Sequence, residues 1–183
     1  MKKFIGSIFG SKKKSIEDGI PLYIGKIVKW LNENAPALSN HLNPPATEHA
    51  IKTVESNLNI TFHSQVREAY LIHDGERSDS DGLFGLWRWL SLSEMEKEFH
   101  ILNEHKDSDA IRIPILRSPG GDIYYEESGG NGEIIDWWHA RPSRDVKYDG
   151  FKSYLLWFTD RLLAGQYVYR PNELSGLIDK SEM

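Results

Sequence analysis

The sequence predicts an α+β fold: a single domain with a mostly antiparallel sheet, N-terminal helices, an inserted helix and a C-terminal helix packed on it. Three observations point there. Apolar residues recur at helical spacing towards both ends of the chain. Between them, short apolar and aromatic stretches are separated by glycine turns, Gly120-Gly121 and Ser128–Gly132. Only one helical pattern interrupts those stretches, so a wound parallel sheet is not expected.

The elements follow in order. Leu22 to Leu31 places Ile24, Ile27, Val28 and Leu31 on one helix face, and Pro36 should stop that helix at or before Ala35. His41–Pro45 is a loop stiffened by Pro44-Pro45. Thr47 is a suitable N-cap for a second helix, with His49 and Ala50 in its first turn and Ile51, Val54 and Leu58 inward. Ser64 is expected to cap a third helix that buries Val66, Ala69, Tyr70 and His73, with Gly75 as its left-handed stop. Glu76–Asp81 reads as a polar surface loop.

Leu83–Leu90 alternates as a strand, with Phe84, Leu86, Arg88 and Leu90 on one face and Leu83, Gly85, Trp87 and Trp89 on the other. Ser93 and Glu96 have the form of a capping box opening a helix to about His105. Ile111–Leu116 is a strand, and Pro114 marks an edge or a bulge. Asp122–Glu127 and Glu133–Ala140 form a hairpin around the Asn-Gly turn. From Gly150, Phe151, Tyr154, Leu155, Phe158, Leu162 and Leu163 share a helix face ended by Gly165. Tyr167–Tyr169 is a short edge strand. Residues 1–20 read as a basic tail, 21–170 as the domain, and 171–183 as a C-terminal tail.

Composition narrows the chemistry. The 183 residues are 39% hydrophobic and 27% charged, an ordinary globular balance long enough to bury a core. There are no cysteines, which removes disulfides, thiolate nucleophiles and cysteine-ligated metals. The net charge is −5, but Lys2, Lys3, Lys12, Lys13 and Lys14 are all in the first 14 residues. Setting those five aside leaves 17 basic against 27 acidic residues, or −10. An acidic body repels a phosphate backbone and favours a basic partner, so direct nucleic-acid binding is not expected. The lysine-bracketed Phe4–Phe9 run is too short and broken for a secretory signal, and no segment has the apolar length of a membrane span. That run reads as part of a solvated tail, with a weak contact to an anionic membrane surface as the less favoured alternative.

The stretches Phe62–Gly75 (FHSQVREAYLIHDG), Leu83–Leu92 (LFGLWRWLSL), Ile113-Pro114-Ile115, Gly120–Tyr124, Glu133–His139 (EIIDWWH) and Phe151–Tyr167 occur in a characteristic order. Together they resemble the SUKH superfamily, which includes fungal cell-wall assembly regulators and bacterial immunity proteins of polymorphic toxin systems. The resemblance covers roughly Leu42 to Tyr169, with His63-Ser64 where such proteins often carry a proline before the third helix. It implies no catalytic residues. It implies a cytoplasmic binding protein, monomeric or a small homo-oligomer, whose bacterial members neutralise a cognate protein toxin.

The residues themselves offer no better chemistry. His73-Asp74 lacks further ligands at a defensible spacing and reads as a helix exit. Asp79-Ser80-Asp81-Gly82 lacks the terminal glutamate of a calcium loop. The glycine-rich turns are not followed by helices and so cradle no phosphate. There is no Gly-x-Ser-x-Gly elbow, and Glu126-Glu127 point to opposite faces of a strand. No catalytic residue, metal or cofactor is therefore expected. The candidates for partner binding are Trp87, Arg88, Trp89, Glu126, Asp136 and Trp138, tryptophans and charged residues on otherwise apolar strands. For any single tryptophan a core position is favoured over a partner surface, because an aromatic strand face is more often packing than recognition.

Overall fold

The structure, a computed structural model, describes residues 19–85, 87–104, 109–139, 141–171 and 176–182, with backbone alone at 141–144 and 182. The expected basic tail lies almost wholly outside the described residues, although Ile20 already belongs to the first helix. The chain runs α1 (Ile20–Asn34), α2 (Pro36–Ser39), α3 (Glu48–Leu58), α4 (Ser64–Tyr70), β1 (Arg88–Trp89), α5 (Leu92–Glu104), β2 (Arg112–Arg117), β3 (Ile123–Glu127), β4 (Ile134–Trp138), β5 (Arg141–Tyr148), α6 (Phe151–Leu163), β6 (Tyr167–Tyr169) and β7 (Leu177–Asp179). Strands β1 to β5 form one antiparallel sheet in sequence order, and β6 and β7 pair separately. The fold is α+β.

The main core lies between the sheet and α1, α4 and α6. Ile24, Ile27 and Leu31 of α1 meet Val66, Ala69 and Tyr70 of α4, with Phe151, Tyr154, Leu155 and Phe158 of α6 closing it. Side chains alternate along each strand, so Trp89, Leu116 and Tyr124, which are paired across the sheet, face this core. On the opposite side Ile123, Tyr125 and Ile135 gather with Leu102 of α5 in a smaller cluster.

Helix boundaries follow their caps. Pro36 ends α1 at Ala35 and opens α2, because proline lacks the N–H that a continuing helix needs. The Thr47 side chain accepts from the Ala50 N–H at 3.0 Å, and Glu48 adds an acid to that first turn. Two caps differ from expectation. His63, not Ser64, caps α4, since the buried Glu126 carboxylate accepts the His63 N–H at 3.0 Å and fixes the turn there. The capping box of α5 is Ser91–Glu94, two residues before the expected pair: Ser91 Oγ accepts from the Glu94 N–H at 3.3 Å and Glu94 Oε2 from the Ser91 N–H at 3.3 Å. The expected end of that helix at His105 lies outside the described residues.

Three further expectations are corrected. Leu83–Leu90 is not one strand: only Arg88–Trp89 joins the sheet, and Phe84 and Trp87 pair across a tight turn. The residues from Arg141 to Tyr148 form the edge strand β5, which their polar composition concealed. The segment from Pro171, expected as a tail, supplies β7, whose Leu177 is fully buried against the core. On α6, Leu163 is 55% exposed rather than inward. Pro114 sits at the bulge where the β2–β3 register shifts, beyond the reach of the two-residue β1.

Candidate functional site

Glu76 builds the loop that carries the first candidates. Only 1% of it is exposed, yet its carboxylate has three donors. Oε1 accepts from the Trp89 N–H at 2.7 Å, and Oε2 accepts from the Leu83 N–H at 3.0 Å and from the Ser80 hydroxyl. One side chain thus ties both ends of Leu83–Trp89 together. Beside it, Asp74 Oδ1 accepts from the Leu92 N–H at 2.8 Å at the start of α5, and His73 Nδ1 donates to the Asn43 carbonyl at 2.9 Å. His73-Asp74 is therefore structural bracing. Among the described residues no group of three or more histidines and carboxylates could hold a metal ion.

The turn held by Glu76 presents Trp87 to an aromatic cleft of about 270 Å³. Trp87 stacks on Tyr124 of β3 with ring centroids 3.9 Å apart. Tyr148 of β5 and Tyr154 of α6 lie edge-on to one another at 5.1 Å, and each is within 6.3 Å of Tyr124. Trp157, one turn further along α6, covers Tyr148 at 5.7 Å and is 40% exposed. The remaining wall is the β6–β7 hairpin. There the Arg161 guanidinium lies 5.1 Å from the Trp157 ring and 6.0 Å from the Tyr167 ring, paired with Asp179. Gly85, at φ +72°, takes the left-handed backbone position of the turn beside the hairpin.

A second depression, about 670 Å³ and shallower, is charged. Arg88 Nη1 donates to both Glu94 oxygens at 2.7 and 2.8 Å, and Arg117 pairs with Glu98 at 3.4 Å. Arg88 and Arg117 are thus matched by carboxylates.

The six partner-binding candidates occupy four environments. Trp87 lines the aromatic cleft and Arg88 the charged depression. Trp138 is 50% exposed and donates from Nε1 to Asp136 at 2.9 Å. Trp89, Glu126 and Asp136 are buried, at 1%, 0% and 1% exposure. Trp89 packs between Tyr70 and Phe151, Glu126 holds the α4 cap, and Asp136 binds Trp138 and, at 3.0 Å, Lys147. The sequence reading did not select Tyr124, Tyr148, Tyr154, Trp157, Arg161 or Asp179 for the site. A signal existed on α6, where Tyr154, Trp157 and Arg161 follow at spacings of three and four and so share a helix flank.

Burial governs the titration of this region. Desolvation pushes the Glu76 carboxyl from 4.5 up to about 7 against the pull of its three donors, and it pushes Glu126 up to about 7 against the His63 N–H. Both folded-state values exceed the ordinary one, so the fold favours the protonated acids. Their contribution to stability is complete below pH 4.5 and is lost as pH rises through 7. Each adds a slope of up to about 1.4 kcal/mol per pH unit across that window. Urea midpoints should therefore fall between pH 4.5 and 7.5, and Glu76→Gln should flatten the fall. A midpoint rising across that window in the parent, unchanged by Glu76→Gln, would contradict this assignment.

An antiparallel five-stranded sheet under α1, α4 and α6, with an aromatic cleft where α6 meets a C-terminal hairpin, defines a small α+β domain. The chain belongs to the SMI1 / KNR4 family (SUKH-1), whose model matches residues 45–157. It is similar to the KNR4/SMI1 homolog of Yarrowia lipolytica, 29% identical over 115 residues, covering 58% of this chain and 16% of that protein. It is also similar to the KNR4/SMI1 homolog of Kluyveromyces lactis, 32% identical over 73 residues, covering 39% of this chain and 14% of that protein. The chain thus matches less than a fifth of the length of either curated relative. No helix of the described residues is long and apolar enough to cross a membrane.

Proposed function

We propose that this chain is a non-enzymatic, cytoplasmic binding protein that neutralises a cognate toxin, of nuclease type, by direct protein–protein contact. The observation that carries the reading is the solvent-facing aromatic surface: Trp157 rims a cleft made of tyrosines and Trp87, and Trp138 stands half exposed on the sheet. Tryptophan and tyrosine at such positions are characteristic of interface anchors. The acidic balance of −10 outside the first 14 residues suits a basic toxin, with complementary charge raising the association rate. Family membership is consistent with immunity proteins and regulators alike.

Co-expression with the product of the adjacent gene tests the proposal. The expected result is rescue from toxicity and a one-to-one complex whose association slows with salt. Absence of both rescue and co-purification sinks it. A second reading, a regulatory scaffold like the fungal cell-wall assembly regulators, is favoured by the two yeast relatives. A pull-down that returns several unrelated host proteins and no toxin would select that reading.

A further inference from the structure

The aromatic cleft has the chemistry of a cation receptor. Its walls are lined by the rings of Trp87, Tyr124, Tyr148 and Trp157, and aromatic rings attract ammonium and guanidinium groups most strongly where water is excluded. Tyr154 adds a hydroxyl that is buried and has no hydrogen-bond partner, an unusual condition for a polar atom in a cleft wall. Burial drives the Tyr124 and Tyr148 hydroxyls upward as acids, so they stay neutral and offer oxygen lone pairs. The chain already holds one guanidinium here: Arg161 lies over Trp157 and Tyr167, and Asp179 neutralises it. The cleft therefore has no net charge of its own within an acidic body.

We propose that this cleft receives a lysine or arginine side chain projecting from a basic protein partner, the apolar stem against Trp157 and the charged end among the tyrosine hydroxyls. The inference rests on the binding-protein reading and supplies the chemistry of its anchor. Phosphate groups and acidic peptides are disfavoured by the surrounding negative charge, and a neutral aromatic side chain would leave the Tyr154 hydroxyl without a partner.

The test uses the full chain and needs no toxin. N-acetyl-arginine amide, N-acetyl-lysine amide, the neutral isostere N-acetyl-citrulline amide and N-acetyl-phenylalanine amide are each titrated to roughly 20 mM, beyond a millimolar affinity. Binding is followed by the indole N–H resonances of Trp87 and Trp157. The expected result is saturable movement of both signals with the two cations, at least fivefold weaker with citrulline and weakened by salt. Trp157→Ala, at an exposed helix position, should reduce cation binding at least fivefold. Asp179→Asn, which leaves the Arg161 charge uncompensated, should do the same while the folded spectrum persists. Equal response to citrulline, preference for phenylalanine, or no saturable response overturns the proposal. Cation-selective binding without toxin co-purification would reject the toxin and keep the cleft; a toxin complex with no cation response would do the reverse.

Discussion

Replacing Trp89 by alanine is expected to cost about 3–5 kcal/mol of folding stability, the range for emptying a large aromatic site in a packed core. The ring lies between α4 and α6, 5.5 Å from Tyr70 and 5.9 Å from Phe151, and only 1% of the residue is exposed. Its backbone N–H is one of the donors that hold the Glu76 carboxylate, so relaxation around the cavity would disturb that buried acid too. Trp138→Ala provides the contrast. That side chain is half exposed, and its loss should stay within about 1 kcal/mol. Urea unfolding of both variants, with the denaturant slopes compared, separates the two cases. If the Trp89 and Trp138 variants have equal midpoints, the core position assigned to Trp89 is wrong.

Gly75→Ala should cost about 3 kcal/mol, combining a strained backbone with overpacking. Gly75 has φ +61°, and a Cβ on it would lie 2.4 Å from the Leu90 carbonyl oxygen and 2.7 Å from the Ser91 nitrogen. Neither neighbour is free to move. The Leu90 carbonyl accepts from the Tyr70 hydroxyl at 2.9 Å, and Ser91 caps α5. The Gly75 carbonyl in turn accepts from the Asn43 N–H at 3.0 Å. Thermal unfolding should show a lower midpoint and, through the displaced Glu76 turn, altered near-ultraviolet signals from Trp87 and Trp89. A variant as stable as the parent would show that the chain can relax here, contrary to this geometry.

Helices were legible because their signals are local. The stripes through Ile24, Ile27 and Leu31 and through Val66, Ala69 and Tyr70 bury as their spacing indicated. Gly75 was correctly marked as a position needing positive φ, but for another reason: α4 stops at Tyr70, and the glycine admits the backbone of Leu90. The Leu83–Leu90 alternation misled because no periodicity registers a buried carboxylate that folds the segment into a turn. Strand β5 escaped because an edge strand carries polar residues on both faces, and β7 because three residues are too few to show a period. The cleft depended on these two missed strands. Its aromatic side chains come from the turn before β1 and from β3, β5, α6 and β6, elements that only the tertiary fold brings together.

The packing of α1 against α6 also sets an order of events for a chain leaving the ribosome. Helix α1 emerges before α6, so the apolar face of Ile24, Ile27 and Leu31, covered in part by α2 and α4, lacks its α6 neighbours until residues beyond Phe151 have been made. Closing a loop of that length carries an entropic cost that local contacts do not repay, and contacts so distant in sequence slow folding. A nascent chain stalled before α6 would therefore expose that face to chaperones or to other unfinished chains. Synthesis of α6 and the β6–β7 hairpin then commits the molecule, sealing the core and raising the cleft's last wall in the same step.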